Sequence, residues 1–335
     1  MESILLLAHT ETDGTLGKPA LEALTAALAL GGELTIGLTG AEVQPAADQV
    51  AAAGASRILA VVGEEFGAPR YATDAAAAEA LCRAAGAALV VAPDTSRWAR
   101  ALPGVAYRLG GRVDSHATVL AAGGGSPAVT RWFYRQRMEA VLTRTERPWF
   151  VLLDSGCSAP WSGPAGQAKV EMVEAAAPAT RTAVTGIQAP KADEQTIRPD
   201  AKLLFVAGAG WTKKQADGAV HVPEAQELIL GFLRAAQASL GGSKSLVDLS
   251  GEGQAVLPFM THLNQIGQTG ATPRHLKGLS TCCHGEEPHV VGWRFVTERR
   301  AVNLDANCGW ARGKADVVYV ADAFAVMREV NRLLG

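Results

Sequence analysis

Cys282, Cys283 and His284 stand side by side in the stretch NQIGQTGATPRHLKGLSTCCHGEEPH, which runs from Asn264 to His289. Thiolates and imidazoles are common zinc ligands, so Cys282, Cys283, His284 and His289 could hold a metal. Structural zinc sites draw on two ligand pairs, each spanning a gap of roughly two to four residues, and adjacent cysteines do not form that chelate. A nucleophilic Cys282 or Cys283 needs a base within hydrogen-bond reach, which the adjacency of His284 in sequence does not supply. Cys157 and Cys308 are isolated thiols, of the kind that more often fill a core than react. The other chemical feature is the turn Gly267, Gln268, Thr269, Gly270. Two glycines flanking an amide and a hydroxyl let successive backbone N–H groups converge on a pyrophosphate or on the polar edge of a cofactor ring. On the motif alone an ordinary turn explains it as well. The stretch AGAGWTKK follows a strand pattern but lacks the third glycine and the immediate helix of a dinucleotide fingerprint.

Alternating strand and helix patterns must position these residues. In the first half, ILLLA, ELTIGLTG, RILAVVG and ALVVAP read as short apolar strands separated by alanine-rich helices. Pro19 marks one helix start and Gly31–Gly32 its stop. Apolar strands spaced by helices predict a parallel sheet buried on both faces. After Gly110 the pattern changes. SHATVLAAGGGSPAVTRWFY reads as two strands joined by a hairpin, and MEAVLTR and PWFVLLD as further strands of an antiparallel edge. From Ser155 to Pro199 the chain is rich in Pro, Ala, Gly and Thr and ends as a linker. A second α/β unit begins at AKLLFVAGAG and closes with the helix AFAVMREVNRLLG.

The predicted fold class is therefore α/β, with two Rossmann-like parallel-sheet domains, the first carrying added antiparallel strands. A chain of 335 residues exceeds one ordinary core, which also favours two domains. A net charge of −2 excludes a broad attraction to nucleic acid or to anionic membranes. No apolar run reaches the roughly 18 residues of a membrane span. The N-terminal MESILLLAHTETDG lacks a basic segment, and its apolar run is too short for a signal peptide, so a buried first strand is expected. Five cysteines without a regular framework fit reduced thiols in a cytoplasmic protein.

In the second half LLFVAGAG, GGSKSLVD, IGQTG, GLSTCCH, NLDAN and ADVVYVADAF follow one another in order. That order resembles the α subunit of electron-transfer flavoproteins, whose stretches read approximately Gly-Gly-Arg-Gly, Gly-Ala-Ser-Arg, Val-Gly-Gln-Thr-Gly, Gly-Ile-Ser-Gly-Ala-Ile-Gln-His, Ile-Asn and Ala-Asp. In the first half KPALEALTAA, GASRILAVVG and GRVDSHATVL look like the family's first domain, so the resemblance covers nearly the whole chain. It implies an N-terminal domain over 1–195 that contacts a β subunit and includes the Pro/Ala-rich linker from about 155. It implies an FAD-binding domain over 196–335. The heterodimer would carry electrons from a flavin-linked dehydrogenase to a quinone reductase or similar acceptor, with no substrate of its own. AMP or a second FAD would belong to the β subunit.

Residue by residue, the resemblance implies that Gly267, Gln268, Thr269 and Gly270 form the cofactor turn, with Thr269 near the flavin N5. Ser280 and the adjoining Thr281 would lie near flavin and pyrophosphate, Asn307 at the adenosine, and Asp322 at the adenine or ribose. Ser243 and Lys244 fall where the family has Ser-Arg. Lys244 keeps the charge of that arginine but loses its planar fork of donors. The family's histidine corresponds to His284, one position early, or to His289. The AGAGW stretch lacks the arginine that the family carries there, and Trp211 follows instead. Two alternatives follow from these departures: an FAD-less scaffold subunit, or a metal or thiol redox protein using Cys282 and Cys283.

Overall fold

The computed structural model describes residues 2–123, 126–133, 138–176, 178–186, 197–198, 200–243, 246, 255–266, 272–281, 296–308, 311 and 315–335. The chain divides into two compact units, Met1–Gln188 and Ala189–Gly335.

The first unit is built on strands β1 (Ile4–His9), β2 (Leu34–Gly40), β3 (Arg57–Val62) and β4 (Leu89–Pro93). Between them run helices α1 (Lys18–Ala29), α2 (Gln44–Gln49), α3 (Glu64–Gly67) and α4 (Tyr71–Ala85), and α5 (Ser96–Arg108) follows. Successive side chains of β1 go to opposite cores. Ile4, Leu6 and Ala8 join one cluster with α1, while Leu5 and Leu7 join another with α4 and α5. A strand buried on both faces is a continuous apolar run, which is why ILLLA shows no alternation. Small alanines on α1 and α4 let the helices approach the sheet closely.

Then come β5 (Arg112–Gly123), β6 (Ser126–Phe133), β7 (Met138–Leu142), β8 (Trp149–Leu153) and the short β9 (Glu171–Met172). The sheet order is β7-β6-β5-β8-β4-β1-β2-β3-β9. β5, β6 and β7 pair antiparallel, as the hairpin pattern predicts. PWFVLLD departs from its predicted edge position. β8 inserts between β4 and β5, parallel to both, with Trp149 opposite Leu89 and Arg112. All five of its residues are buried, as expected of an apolar run covered on both faces, and its backbone pairs with a neighbour on each side. Gly111 permits the close approach of β5 to β8, since a Cβ there would lie 2.2 Å from the Pro148 carbonyl oxygen.

The Pro- and Ala-rich stretch runs along the first unit. Glu22 of α1 accepts hydrogen bonds from Ser155 Oγ (2.9 Å) and the Gly156 N–H (2.8 Å). Further on, the N–H of Gly166 donates to the Asp48 carbonyl, and Arg57 pairs with Glu171 at 2.8 Å. Val173 and Ala175 pack against the core.

The second unit contains β10 (Leu204–Ala207), α6 (Val222–Ala235), β11 (Ser239–Gly242), β12 (His275–Thr281), β13 (Val296–Asn303), β14 (Val317–Val320) and α7 (Ala323–Leu334). All five strands are parallel, in the order β11-β10-β12-β13-β14. Pro223 opens α6, whose Ile229 and Phe232 are buried with Phe205 of β10. The α6 and α7 helices are tied by Arg328–Glu224 and by Asn331 Nδ2 donating to the Leu228 carbonyl. Two parallel, helix-covered sheets, the first with an antiparallel extension, match the predicted fold class.

Candidate functional site

In an open parallel sheet, ligands bind beyond the carboxyl ends of the strands where the strand order reverses. In the second sheet the chain passes from β10 to β11 on one side, then to β12 on the other, so the reversal falls between β10 and β12. The two strand ends are joined there: the Gly208 N–H donates to the Thr281 carbonyl at 2.9 Å.

Four of the predicted residues lie along this rim or just beneath it. Ser243 directly follows β11, and its N–H donates to the Ala207 carbonyl at 3.1 Å. Its hydroxyl is buried and has no hydrogen-bond partner among the described residues. Ser280 and Thr281 close β12 and are fully buried, opposite Val206 and Ala207 of β10. Trp211, also fully buried, donates its indole Nε1 to Thr281 Oγ1 at 2.9 Å and packs against Phe324 at 4.6 Å between ring centroids. Asp322 follows β14, and its Oδ1 accepts the Ala325 N–H at 2.7 Å as the N-cap of α7. Asn307 lies beyond β13 on an exposed turn, where its N–H donates to Asp305 Oδ1 at 2.8 Å. Lys244, Gly267, Gln268, Thr269, Gly270 and His284 lie outside the described residues, as do Cys282, Cys283 and His289.

Sequence reasoning missed Asn303. It is the last residue of β13 and is 2% exposed; its Oδ1 accepts from the Asp305 N–H at 3.4 Å. Its Nδ2 is buried without a hydrogen-bond partner among the described residues. A polar side chain closing an apolar strand of a parallel sheet is the signal that could have found it, and NLDAN offered two asparagines to choose between. Ser243 and Asn303 are three strand spacings apart, about 14 Å. A span of that order suits an extended nucleotide better than a single phosphate. Orphaned buried donors and acceptors are costly unless a ligand satisfies them, so the rim fits a polar, hydroxyl- and phosphate-bearing group.

A cavity of about 780 Å³ lies between β12–β14 and α7. Its walls are apolar, with Leu279, Val302, Val318, Val326 and Val330, beside Lys277, Glu298 and Arg300. None of the predicted cofactor residues lines it. The rim is the better candidate because its orphaned polar groups flank the point where the strand order reverses.

Residues 4–179, just over half of the chain, match the family model described as electron transfer flavoprotein domain. The chain belongs to that family, whose members are flavoproteins. The match covers most of the first unit and stops before the second. A comparison with curated proteins finds no match. Among the described residues no helix is long and apolar enough to cross a membrane.

Proposed function

We propose that this chain is the α subunit of a heterodimeric electron-transfer flavoprotein and binds FAD on its second unit. The observation that carries the reading is the pair of orphaned polar groups, Ser243 Oγ and Asn303 Nδ2, buried along the carboxyl rim of a parallel sheet. The second α/β unit beyond the family match and the order of its motifs support the α assignment. Ser243, Asn303 and the turn Gly267–Gly270 would hold the dinucleotide, with Ser280, Thr281, His284, Asn307 and Asp322 around it and Lys244 supplying a cation. Bound FAD would supply reversible uptake of one or two electrons, and the protein would set its orientation and electrostatic surroundings. The partner in this reading is a β subunit holding AMP or a second FAD. A flavin-linked dehydrogenase gives electrons, and a quinone reductase or similar acceptor takes them.

Co-expression with the β subunit tests this. The heterodimer is expected to purify yellow, with a flavin absorption spectrum. A colourless heterodimer that FAD cannot reconstitute would leave the chain as a scaffold. Bound metal lost on mutating Cys282 and Cys283 would point to a metal or thiol centre instead.

A further inference from the structure

At the carboxyl edge of the first sheet an imidazole is held between two carboxylates. Pro93 and Leu153 are paired neighbours on β4 and β8, so Asp94 and Asp154, the next residues, emerge side by side. The side chain of Asp94 is 2% exposed, and Asp154 is half-buried. Like charges on adjacent strand ends repel each other, and burial of Asp94 adds a desolvation cost. His116 of β5 answers both. Its Nδ1 lies 3.1 Å from Asp154 Oδ1 and 3.2 Å from Asp94 Oδ2, and its backbone N–H donates to Asp94 Oδ2 at 2.6 Å.

His116 also marks a break in strand register. Asp114 pairs with Val151 and Ala117 with Leu153, so β5 carries one extra residue there. This bulge puts His116 at φ +55, in the left-handed region that costs a non-glycine residue about 1 kcal/mol. Beyond the bulge, β5 pairs with β6 and β6 with β7, making an antiparallel ribbon. The three groups therefore sit at the root of the ribbon and hold its first residue in a conformation that the backbone alone disfavours.

We propose that His116, Asp94 and Asp154 form a proton-operated latch that fixes the root of the β5–β7 ribbon. The imidazolium makes charge-assisted contacts to both carboxylates, which are roughly twice as strong as neutral ones. Loss of the Nε2 proton to solvent leaves a neutral ring, which keeps its one Nδ1 hydrogen but no longer offsets the repulsion of the two carboxylates. The imidazole is 69% exposed, so the proton exchanges freely with water. The charged groups facing His116 are Asp154 of β8, Asp94 of β4 and Arg131 of β6. The hydrogen bond to Asp154 and the field of both carboxylates outweigh partial burial and Arg131, and hold the imidazole above its ordinary value. The latch is closed below the unfolded value of 6.5 and opens as pH rises through the higher folded one.

The test is an NMR titration of the histidines in the full chain, with His116 assigned by its absence in His116→Asn. Asparagine tolerates the left-handed backbone and removes the charge. His116 is expected to titrate above 6.5, and Asp154→Asn to lower that value. Amide exchange in Ala117–Leu120 and Val129–Arg131, corrected for intrinsic rates, is expected to be several-fold faster at about pH 9 than at about pH 6. In His116→Asn it should be fast at both. A His116 value at or below 6.5 would overturn the proposal, and so would ribbon exchange that ignores pH in the unmodified chain. That arm stands even where the variants fail to fold. A titration that appears only after EDTA would also overturn it, in favour of a bound cation.

Discussion

Trp211 and Thr281 are joined beneath the carboxyl rim of the second sheet, indole Nε1 to hydroxyl Oγ1 at 2.9 Å, both side chains fully buried. The bond links the turn after β10 to the end of β12, the two strands between which the strand order reverses. An aromatic ring thus forms part of the wall beneath the rim.

Trp211→Phe keeps the ring against Phe324 but removes the donor. The second unit is expected to lose about 1–2 kcal/mol in denaturant unfolding, the cost of a buried hydrogen bond whose acceptor stays behind. Thr281→Val in the same background should then cost less than it does alone. Equal costs in both backgrounds would show that the two residues are not coupled.

Ser243→Ala separates a ligand-binding hydroxyl from a structural one. The hydroxyl is buried without a partner among the described residues, so its removal should leave the FAD-free chain as stable or slightly more so. FAD affinity is expected to fall several-fold in an equilibrium titration of the heterodimer. A loss of stability together with unchanged affinity would mean that the hydroxyl serves the fold.

His9 ends β1 against Trp98, with ring centroids 5.9 Å apart. Burial, followed by the Arg97 cation, holds its imidazole below the ordinary value, so the folded chain keeps it neutral. Between the folded value and 6.5 the unfolded chain binds a proton that the folded chain refuses. This contribution is complete above 6.5 and is lost as pH falls below it. The Tm of the full chain should therefore drop from about pH 7 to about pH 5 more steeply than that of His9→Gln. Parallel profiles would count against this assignment.

Asp114 anchors the start of β5. It accepts from Trp149 Nε1 (2.9 Å) and Arg144 Nη2 (2.9 Å), with Arg131 at 3.5 Å. Burial pushes its carboxyl up, but the bonds from Arg144 and Trp149 outweigh that and hold it below the ordinary range. Its stabilising share is present above 3.8 and is lost as pH falls through the lower folded value. Arg144→Leu should cost about 1–3 kcal/mol near neutral pH and progressively less under acid. A loss that persists unchanged in acid would assign the effect to packing.

The parallel cores were legible because strands buried on both faces appear as short apolar runs between helix patterns. The same logic applied to WFVLL would have put Trp149–Leu153 inside the sheet, but position in sequence after a hairpin suggested an edge. Asn303 and Asn307 show the limit within the site. Both belong to NLDAN, and only the strand boundary tells which side chain is buried at the rim. The latch groups His116, Asp94 and Asp154 come from three strands that the topology brings together, and no local spacing announces them.

FAD binding by the second unit is tested by titration. Equilibrium titration of FAD into a heterodimer stripped of its cofactors should saturate. The isosteric Asn303→Asp, which replaces the orphaned donor with an anion at the rim, should weaken that binding. A flavin held by the β subunit would be indifferent to the change. Saturable binding weakened by Asn303→Asp is expected; no binding, or binding untouched by the substitution, would rule out a flavin site at this rim.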